Sequence, residues 1–255
     1  MDSMFDILLG LPLFKGVSRE KIEEIVEVSK FHFLKYLQGE IIVKAGDPCT
    51  HVMFIISGSV RSTVVNSDGR FRVAQTLGPS NVIAPDFLFG RYTSYPCMVT
   101  SQETTGILQI SKNDYLNILN SDRVFLFNVF NILSMNAQKA VVGILALTEG
   151  SIEERIALWI TALSQPNGKD IVLTCRQRDL YSFFGVQRSS FLNALENMKQ
   201  KGMIEYTQNE IKVVERRALV ALLHHYTDGG NRPHYINATT SNAGLQCPAF
   251  DIMYY

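Results

Sequence analysis

Residues 174–204 of this chain read TCRQRDLYSFFGVQRSSFLNALENMKQKGMI, and this stretch predicts two short helices joined by a tight turn. Leu180, Phe183 and Phe184 supply an apolar face for the first helix. Gly185 lies where that helix must end and the chain must reverse, a position that glycine accepts because it tolerates positive φ. In the second helix the apolar residues recur at helical spacing; they are Phe191, Leu192, Leu195 and Met198.

The polar residues of the second predicted helix are concentrated at its N-terminal end. They are Gln187, Arg188, Ser189, Ser190 and Asn193. A helix-turn-helix motif presents the side chains that read DNA bases at this end of its second helix. Two short strands follow at residues 203–214, with a turn near Gln208-Asn209, and then a short helix at residues 215–226. This order predicts a winged helix-turn-helix domain.

The composition is that of ordinary folded domains: 46% of the residues are hydrophobic and 19% are charged. The 24 basic residues are balanced by 24 acidic ones, so net charge alone gives no indication of a nucleic-acid partner. No apolar run reaches the length of a membrane span, and the N-terminus lacks the pattern of a signal peptide. We therefore expect a cytoplasmic protein without a membrane partner.

The cysteines are far apart in the sequence, and no C-x-x-C pair occurs among Cys49, Cys97, Cys175 and Cys247. This spacing argues against disulfides, a zinc site and a cysteine-held iron–sulfur cluster. A nucleophile–base pairing, a metal-ligand spacing and a phosphate-binding loop are also missing. We therefore expect neither a bound metal nor an enzymatic activity.

Between Phe33 and Ile110 the pattern changes to short apolar runs separated by turn residues, with glycines at regular intervals. Regular turns between strands of about five residues predict a small all-β roll or barrel. The segment Asn66-Ser67-Asp68-Gly69 predicts a hairpin turn, because Asp-Gly favours the left-handed backbone conformations that such turns require.

The turn motifs of this β region occur in a characteristic order: Gly39-Glu40, Ala45-Gly46-Asp47, Ile56-Ser57-Gly58, Asp68-Gly69-Arg70 and Leu77-Gly78-Pro79. In this order and spacing they resemble the cyclic-nucleotide-binding β-roll of the Crp–Fnr transcription regulators. With the helix-turn-helix, the resemblance covers residues 5–220. It implies an α+β fold whose parts are a jelly-roll-like β-roll sensor domain at residues 1–120, a long dimerisation helix at 121–148 and a DNA-binding winged helix-turn-helix domain at 149–226.

The predicted long helix opens at Ser121 or Asp122, and its apolar residues cover most of its circumference. Such a helix is either buried on all sides or shared between two subunits. In similar proteins it packs against its twin in a parallel, coiled-coil-like dimer, which implies a homodimer here; an internal core helix is the alternative. Ser151 and Glu154 then form a capping box that begins the next helix, and we place the domain boundary at Glu149-Gly150-Ser151.

The family pocket holds a cyclic phosphate through a glycine at a helix N-terminus, a glutamate on the ribose, an arginine–serine pair and polar contacts to the base. In this sequence Ala84 replaces the glycine, and Pro85 replaces the glutamate, with Asp86 next to it. Tyr95 and Pro96 replace the arginine–serine pair, and Ala140 and Val141 occupy the positions of the base contacts. A phosphate in this pocket would leave its charge unpaired, at a cost of several kcal/mol. We therefore expect that cyclic AMP does not bind.

Aromatic side chains occur around the altered positions: Phe87, Phe89, Tyr92 and Tyr95, with Phe71 and Met98 nearby. Either they fill the pocket, which leaves a regulator without a ligand or with a different one, or they line a cofactor site. Haem is the cofactor alternative, for a regulator that senses NO, CO or redox stress, and it needs an axial His, Cys or Met. No spacing singles out one ligand among His32, His51, Cys49, Cys97, Met53 and Met98. The family's iron–sulfur sensor needs cysteines near the N-terminus, whereas the first cysteine here is Cys49.

On the family's recognition helix, Arg188 occupies the position of the first base-contacting arginine, while Ser189 and Asn193 replace a glutamate and a second arginine. Arg can bridge guanine O6 and N7, and Asn can bridge adenine N6 and N7, so we expect a different DNA target from that of the cyclic-AMP regulator. Phosphate contacts, which set the register on DNA, are predicted for Gln187, Ser190, Thr174, Arg176 and Lys199. The implied partners are two-fold-symmetric double-stranded DNA, a second copy of the chain and RNA polymerase.

An alternative from another class is an interaction or sensor module whose helix-turn-helix does not bind DNA, and it predicts no salt-dependent affinity for a duplex. The residues do not determine the effector, the operator sequence or the choice between activation and repression. Residues 227–255 show no hydrophobic periodicity and many small polar residues, which predicts a loosely ordered extension.

Overall fold

The computed structural model describes residues 4–145, Thr148 and residues 150–223. The extension predicted for residues 227–255, which includes Cys247, lies outside the described residues. Within them, no helix is long and apolar enough to cross a membrane. The fold is α+β, as predicted, with a β-rich N-terminal half and a C-terminal part that carries the helix-turn-helix.

Two sheets pack against each other in the N-terminal half. The elements are α1 (Met4–Leu9), α2 (Arg19–Val28), β1 (Phe31–Tyr36), β2 (Ile41–Val43), β3 (His51–Ser57), β4 (Val60–Val65), β5 (Arg72–Leu77), β6 (Cys97–Ser101) and β7 (Thr105–Ser111). One sheet has the order β1-β7-β3, and β2-β6-β4-β5 begin the other. The predicted hairpin turn joins β4 to β5, and Gly69 has a φ of 72° there. Phe54, Ile55 and Val99 are at most 1% exposed in the core of this roll.

Two helices follow the roll, α3 (Lys112–Ser121) and α4 (Arg123–Leu145). Of the two predicted caps, Asp122 is the one that begins α4, since its Oδ1 accepts a hydrogen bond from the backbone N–H of Val124 at 2.8 Å. One side of α4 inserts Phe125, which is fully buried, into the core of the roll. On the other side, Phe127 is 64% exposed and Phe130 is 57% exposed.

The C-terminal part consists of α5 (Ile152–Leu163), β8 (Lys169–Thr174), α6 (Gln177–Phe183), α7 (Arg188–Gln200), β9 (Ile204–Tyr206), β10 (Glu210–Val213) and α8 (Arg216–Ala221). The predicted capping box of Ser151 and Glu154 is confirmed at the start of α5. Gly185, between α6 and α7, has a φ of 63°, which is the left-handed conformation expected for the turn.

One predicted feature of the helix-turn-helix is wrong: Phe183 is not buried with Leu180 and Phe184. Its side chain is 49% exposed, whereas the other two are 3% exposed. Leu180 and Phe184 are four residues apart and therefore share one helix face, while Phe183 points about 100° away from Phe184. Its ring lies at the edge of the core, where it contacts the rings of Phe184 and Trp159 at centroid distances of 5.4 and 5.7 Å.

A single sheet continues from the roll into the C-terminal part. β8 pairs with β5 in antiparallel register, for example Val73 with Leu173, and β10 and β9 follow on the far side of β8. Side chains hold the same junction. Nη1 of Arg61 donates to the backbone oxygen of Asp170 at 2.7 Å, and Oε1 of Gln75 accepts from the backbone N–H of Gln165 at 2.8 Å. The helix-turn-helix is therefore attached to the roll of its own chain.

Candidate nucleic-acid interface and sensor cavities

The N-terminal end of α7 presents a polar surface above an apolar anchor. On the inner side, Phe191, Leu195 and Met198 are fully buried in the hydrophobic core of the C-terminal part. On the outer side, all the polar positions singled out in the sequence are exposed, namely Gln187, Arg188, Ser189, Ser190 and Asn193. Among the described residues, Arg188 has no ion-pair partner. Its guanidinium is therefore available to a ligand.

The residues predicted to contact phosphates are distributed unevenly around this surface; they are Gln187, Ser190, Thr174, Arg176 and Lys199. Lys199 lies about 16 Å along the helix axis from Arg188, at 1.5 Å per residue. Arg176 is exposed, but the carboxylate of Asp179 holds its guanidinium, with 2.8 Å between Nε and Oδ2. A phosphate at Arg176 has to compete with that carboxylate.

Arg178, which is not among the residues predicted from the sequence, lies on α6 and is exposed. It has no ion-pair partner within the part of the chain that the structure describes. The Arg-Gln-Arg run at residues 176–178 is the signal that could have indicated this second cation. Unlike Arg176, Arg178 needs no release from a carboxylate before it can contact a phosphate.

The backbone at the altered pocket keeps a conformation that glycine favours. Ala84 has a φ of 45° and a ψ of 52°, a left-handed conformation that costs a residue with a side chain about 1–2 kcal/mol. It begins a short 3₁₀ turn at Pro85–Phe87. Pro85 has no N–H to donate. This turn therefore offers an anion one backbone donor fewer than a turn without proline.

The residues of the predicted pocket do not converge on one point. Tyr95 is 4% exposed in the core of the roll, and its hydroxyl donates to the backbone oxygen of His51 at 3.2 Å. Burial raises the pKa of the Tyr95 hydroxyl. Asp86 lies at the surface, where Nδ2 of Asn136 donates to both of its carboxylate oxygens at 2.9 Å. The remaining positions are half-buried or exposed: Ala84, Pro85 and Pro96 on the roll, and Ala140 and Val141 on α4.

A small cavity of about 20 Å³ lies between the roll and α4. A space of this size holds about one water molecule. Its lining is apolar and consists of Leu13, Phe54, Val82, Pro85, Phe89, Tyr115, Val129, Ile132 and Leu133. The lining contains no His, Cys or Met, and a space for about one water molecule cannot hold a haem, so the cavity does not fit a haem.

The residues that sequence reasoning offered for haem are also dispersed. Cys49 and Cys97 are buried, and burial raises the pKa of both thiols, which disfavours the thiolate that binds metal. Tyr92 is 72% exposed and Met98 is 41% exposed, while Phe71 packs against Trp159 at the junction with α5. The described residues contain no group of three or more His, Cys, Asp or Glu that could hold a metal ion.

A larger cleft of about 390 Å³, the α4–α5 cleft, opens between these two helices and the turn that carries Asp86. Its lining residues are Asp86, Asn136, Lys139, Ala140, Gly143, Ile144, Trp159, Ala162, Leu163, Ser164 and Gln165. Burial and the nearby guanidinium of Arg216 lower the pKa of Lys139 to about 8, while Asp86 acts in the opposite direction. Arg216 donates a hydrogen bond to Oγ of Ser164, and burial lowers its pKa as well.

Within the described residues, neither Lys139 nor Arg216 forms an ion pair. Sequence reasoning missed both cations. A lysine in the apolar run of α4 was the available signal for Lys139, but nothing in the sequence indicates that Arg216, far along the chain, lies beside it.

Two protein-family models match the chain. The model of the cyclic nucleotide-binding domain matches residues 33–122, and the model of the Crp-like helix-turn-helix domain matches residues 154–222. Together the two models cover more than half of the chain. The first model matches the roll, and the second matches the C-terminal part.

Curated relatives include two bacterial regulators of similar length. Electron transport regulator A of Shewanella oneidensis is 22% identical over 206 residues, which are 78% of this chain and 80% of that protein. Transcriptional activator protein FnrA of Stutzerimonas stutzeri is 22% identical over 194 residues, with 72% and 78% covered. Potassium channel GORK of Arabidopsis thaliana is 28% identical over 157 residues, or 60% of this chain, and the match spans only 19% of the channel.

Solved structures with a similar arrangement include the catabolite activator protein of Thermus thermophilus. It has a TM-score of 0.49 and 20% sequence identity, with 84% of this chain and 99% of that chain covered. The sensor domain of the transcriptional regulator DNR of Pseudomonas aeruginosa has a TM-score of 0.45 and 17% identity, with 53% and 89% covered.

Proposed function

The chain belongs to the Crp–Fnr family of transcription regulators, and from this premise we propose that it binds a two-fold-symmetric operator as a homodimer, with α7 of each subunit in the major groove. The observation that carries the proposal is the exposed polar end of α7 above its buried apolar anchor. Arg188, Ser189 and Asn193 are the proposed base readers. The proposed phosphate contacts are Gln187, Ser190, Thr174, Arg176 and Lys199.

The exposed side of α4 supports the dimer. The residues at the a and d positions of a heptad on this side, the α4 seam, are Phe127, Phe130, Ser134, Ala137, Val141 and Ile144, all of them exposed. The four large apolar members are between 52% and 67% exposed. A parallel coiled coil buries such a stripe against its twin. The 23 residues of α4 extend about 34 Å, which is enough for three heptads.

We assign sensing to residues 1–120, dimerisation to 121–148 and DNA binding to 149–226. Pro85 and Tyr95 offer a cyclic nucleotide neither a ribose acceptor nor a phosphate cation, so cyclic AMP is not the proposed effector. The small cavity and the dispersed ligands give no support to haem. As a regulator of transcription, the protein would act beside RNA polymerase in the cytoplasm and have no catalytic role, in line with the regulators among its relatives.

Duplex binding at two salt concentrations tests this function. Selection of random duplexes with the full chain should yield a symmetric site whose half-sites lie about one helical turn apart. If the dimer contacts six or more phosphates, affinity should fall by about 10³-fold or more between 50 and 200 mM salt. A chain that binds no duplex, or one whose duplex affinity is independent of salt, is instead an interaction module.

A further inference from the structure

We infer that the α4–α5 cleft binds a small organic anion with an apolar body. The inference deepens the proposed function, because it names the chemical class of the effector. The cleft measures about 390 Å³, within the range of sites that bury a small ligand. The cavity between the roll and α4, at about 20 Å³, is too small for any organic effector.

The anionic character follows from two cations, Lys139 and Arg216, neither of which forms an ion pair with another described residue. Lys139 lines the cleft, and Arg216 lies behind it, hydrogen-bonded to Ser164 of the lining. The one carboxylate of the lining belongs to Asp86, and Asn136 already donates to both of its oxygens. Cations removed from water without a counter-ion are unfavourable. An anion in the cleft relieves this cost.

The apolar body follows from the rest of the lining. Ile144, Trp159 and Leu163 provide a hydrophobic and aromatic wall. Two small residues of the lining, Gly143 on α4 and Ala162 on α5, let the two helices approach closely: a Cβ at Gly143 would lie 3.1 Å from the Cβ of Ala162. The lining therefore offers a ligand both a cation and apolar surface, which is the usual make-up of a ligand pocket.

The cleft overlaps only in part with the position at which the family holds a cyclic nucleotide. It shares Asp86 and Ala140 with the pocket expected from the sequence, but Tyr95 and Pro96 take no part in it. Its second wall is α5, the first helix of the DNA-binding part. A ligand that touches both helices favours the arrangements in which α4 and α5 stay at this distance, and it can thereby bias the orientation of α7.

The single tryptophan of the chain lies in the cleft and provides the test. The probe is 8-anilinonaphthalene-1-sulfonate, an aromatic anion, with uncharged N-phenyl-1-naphthylamine as its matched control. Energy transfer from Trp159 to each probe is measured in the full chain and in the variants Lys139→Met and Lys139→Arg. Lys35→Met, which removes an exposed lysine on β1, is the control variant.

The sulfonate should bind Lys139→Met about tenfold more weakly than the parent chain, as expected for the loss of about 1.4 kcal/mol. Lys139→Arg, which keeps the charge, should bind the sulfonate as tightly as the parent chain does. The uncharged probe should bind the parent chain and all three variants with equal affinity. Equal affinity of the sulfonate for Lys139→Met and the parent chain overturns the inference. So does an equal loss for both probes, because the lysine then shapes the cleft and does not bind the anion.

The outcome is independent of DNA binding. If the chain binds no duplex but binds the sulfonate through Lys139, the proposed DNA-binding function is rejected and the anion site is retained. If the chain binds duplex in a salt-dependent way but the sulfonate binds independently of Lys139, the DNA-binding function is retained and the anion site is rejected. Circular dichroism of each variant verifies that it is folded before the probes are compared.

Discussion

Arg188 stands at the start of α7, exposed and without an ion-pair partner among the described residues. A bidentate contact with guanine would discriminate one base pair. Replacing Arg188 with Ala should therefore weaken binding to the selected operator by about 1–3 kcal/mol and relax specificity at one position of each half-site. A gel-shift titration with operators substituted at single base pairs measures both effects.

Lys199→Ala is the matched comparison, because this lysine is proposed to contact phosphate. It should weaken binding to all sequences alike and reduce the salt slope by about 1 per subunit. If Arg188→Ala also weakens all sequences alike, its side chain contacts the backbone of DNA and not a base.

Lys139 should make the stability of the protein depend on pH. Its pKa is lowered to about 8 by burial and by Arg216, with Asp86 opposing. Between this pH and the usual pKa of lysine, the unfolded chain holds a proton that the folded protein lacks. The free energy of unfolding should therefore rise from pH 8 toward pH 10. Below pH 8 both states hold the proton, and the folded protein carries the full cost of the charge.

Lys139→Met should remove that dependence and stabilise the protein at pH 7. Because Lys139 is only partly buried, solvent screens the charge, and we expect a gain of about 1 kcal/mol. Urea denaturation at pH 7 and pH 9.5 measures the difference, with Lys35→Met as the control. A variant that is no more stable than the parent chain at pH 7 shows that Lys139 is solvated or paired in solution.

At the scale of elements, sequence reasoning succeeded where the signal is local. Ser151 and Glu154 are three residues apart and cap α5 as expected, and Gly185 marks its turn by its own backbone preference. The contacts that could not be predicted join residues that are far apart in the sequence. Nothing near Lys139 indicates that Arg216 lies beside it, and alternation within residues 169–174 cannot show that their partner is β5.

The α4 seam makes a prediction about assembly. A charge at Phe130, a d position that is 57% exposed, would be removed from water in the dimer without a partner. Phe130→Glu should therefore raise the dimer dissociation constant by about 100-fold or more. Analytical ultracentrifugation measures the shift, and operator affinity should fall with it.

Leu116→Glu is the control for the seam, because Leu116 is also an exposed apolar residue, 40% exposed, but lies on α3. It should leave the association state unchanged. If Phe130→Glu remains dimeric at the same concentration, the subunits associate through another surface and the exposed side of α4 needs a different explanation.

At the scale of the whole molecule, a sheet with seven strands in the described residues passes from the roll into the C-terminal part, where β8, β10 and β9 continue it. The sequence predicts a boundary near Gly150, and the chain does break its helical pattern there, but hydrogen bonds cross that boundary between β5 and β8. The helix-turn-helix can turn relative to its own roll only if this pairing opens. The cost of opening it is therefore part of the energy that any effector must shift.

Gln75 is the side chain through which this junction can be weakened selectively. It is 8% exposed, and its Oε1 accepts the backbone N–H of Gln165 just before β8. Gln75→Ala leaves that N–H without its acceptor, at a cost of about 1–3 kcal/mol. Amide hydrogen exchange should therefore become about tenfold faster in β8 and stay unchanged in β3, at the centre of the roll. Gln102→Ala, at an exposed position, is the control. Equal acceleration in β3 and β8 would show that the roll and the C-terminal strands open together, and the proposed reorientation of α7 would then require unfolding of the roll itself.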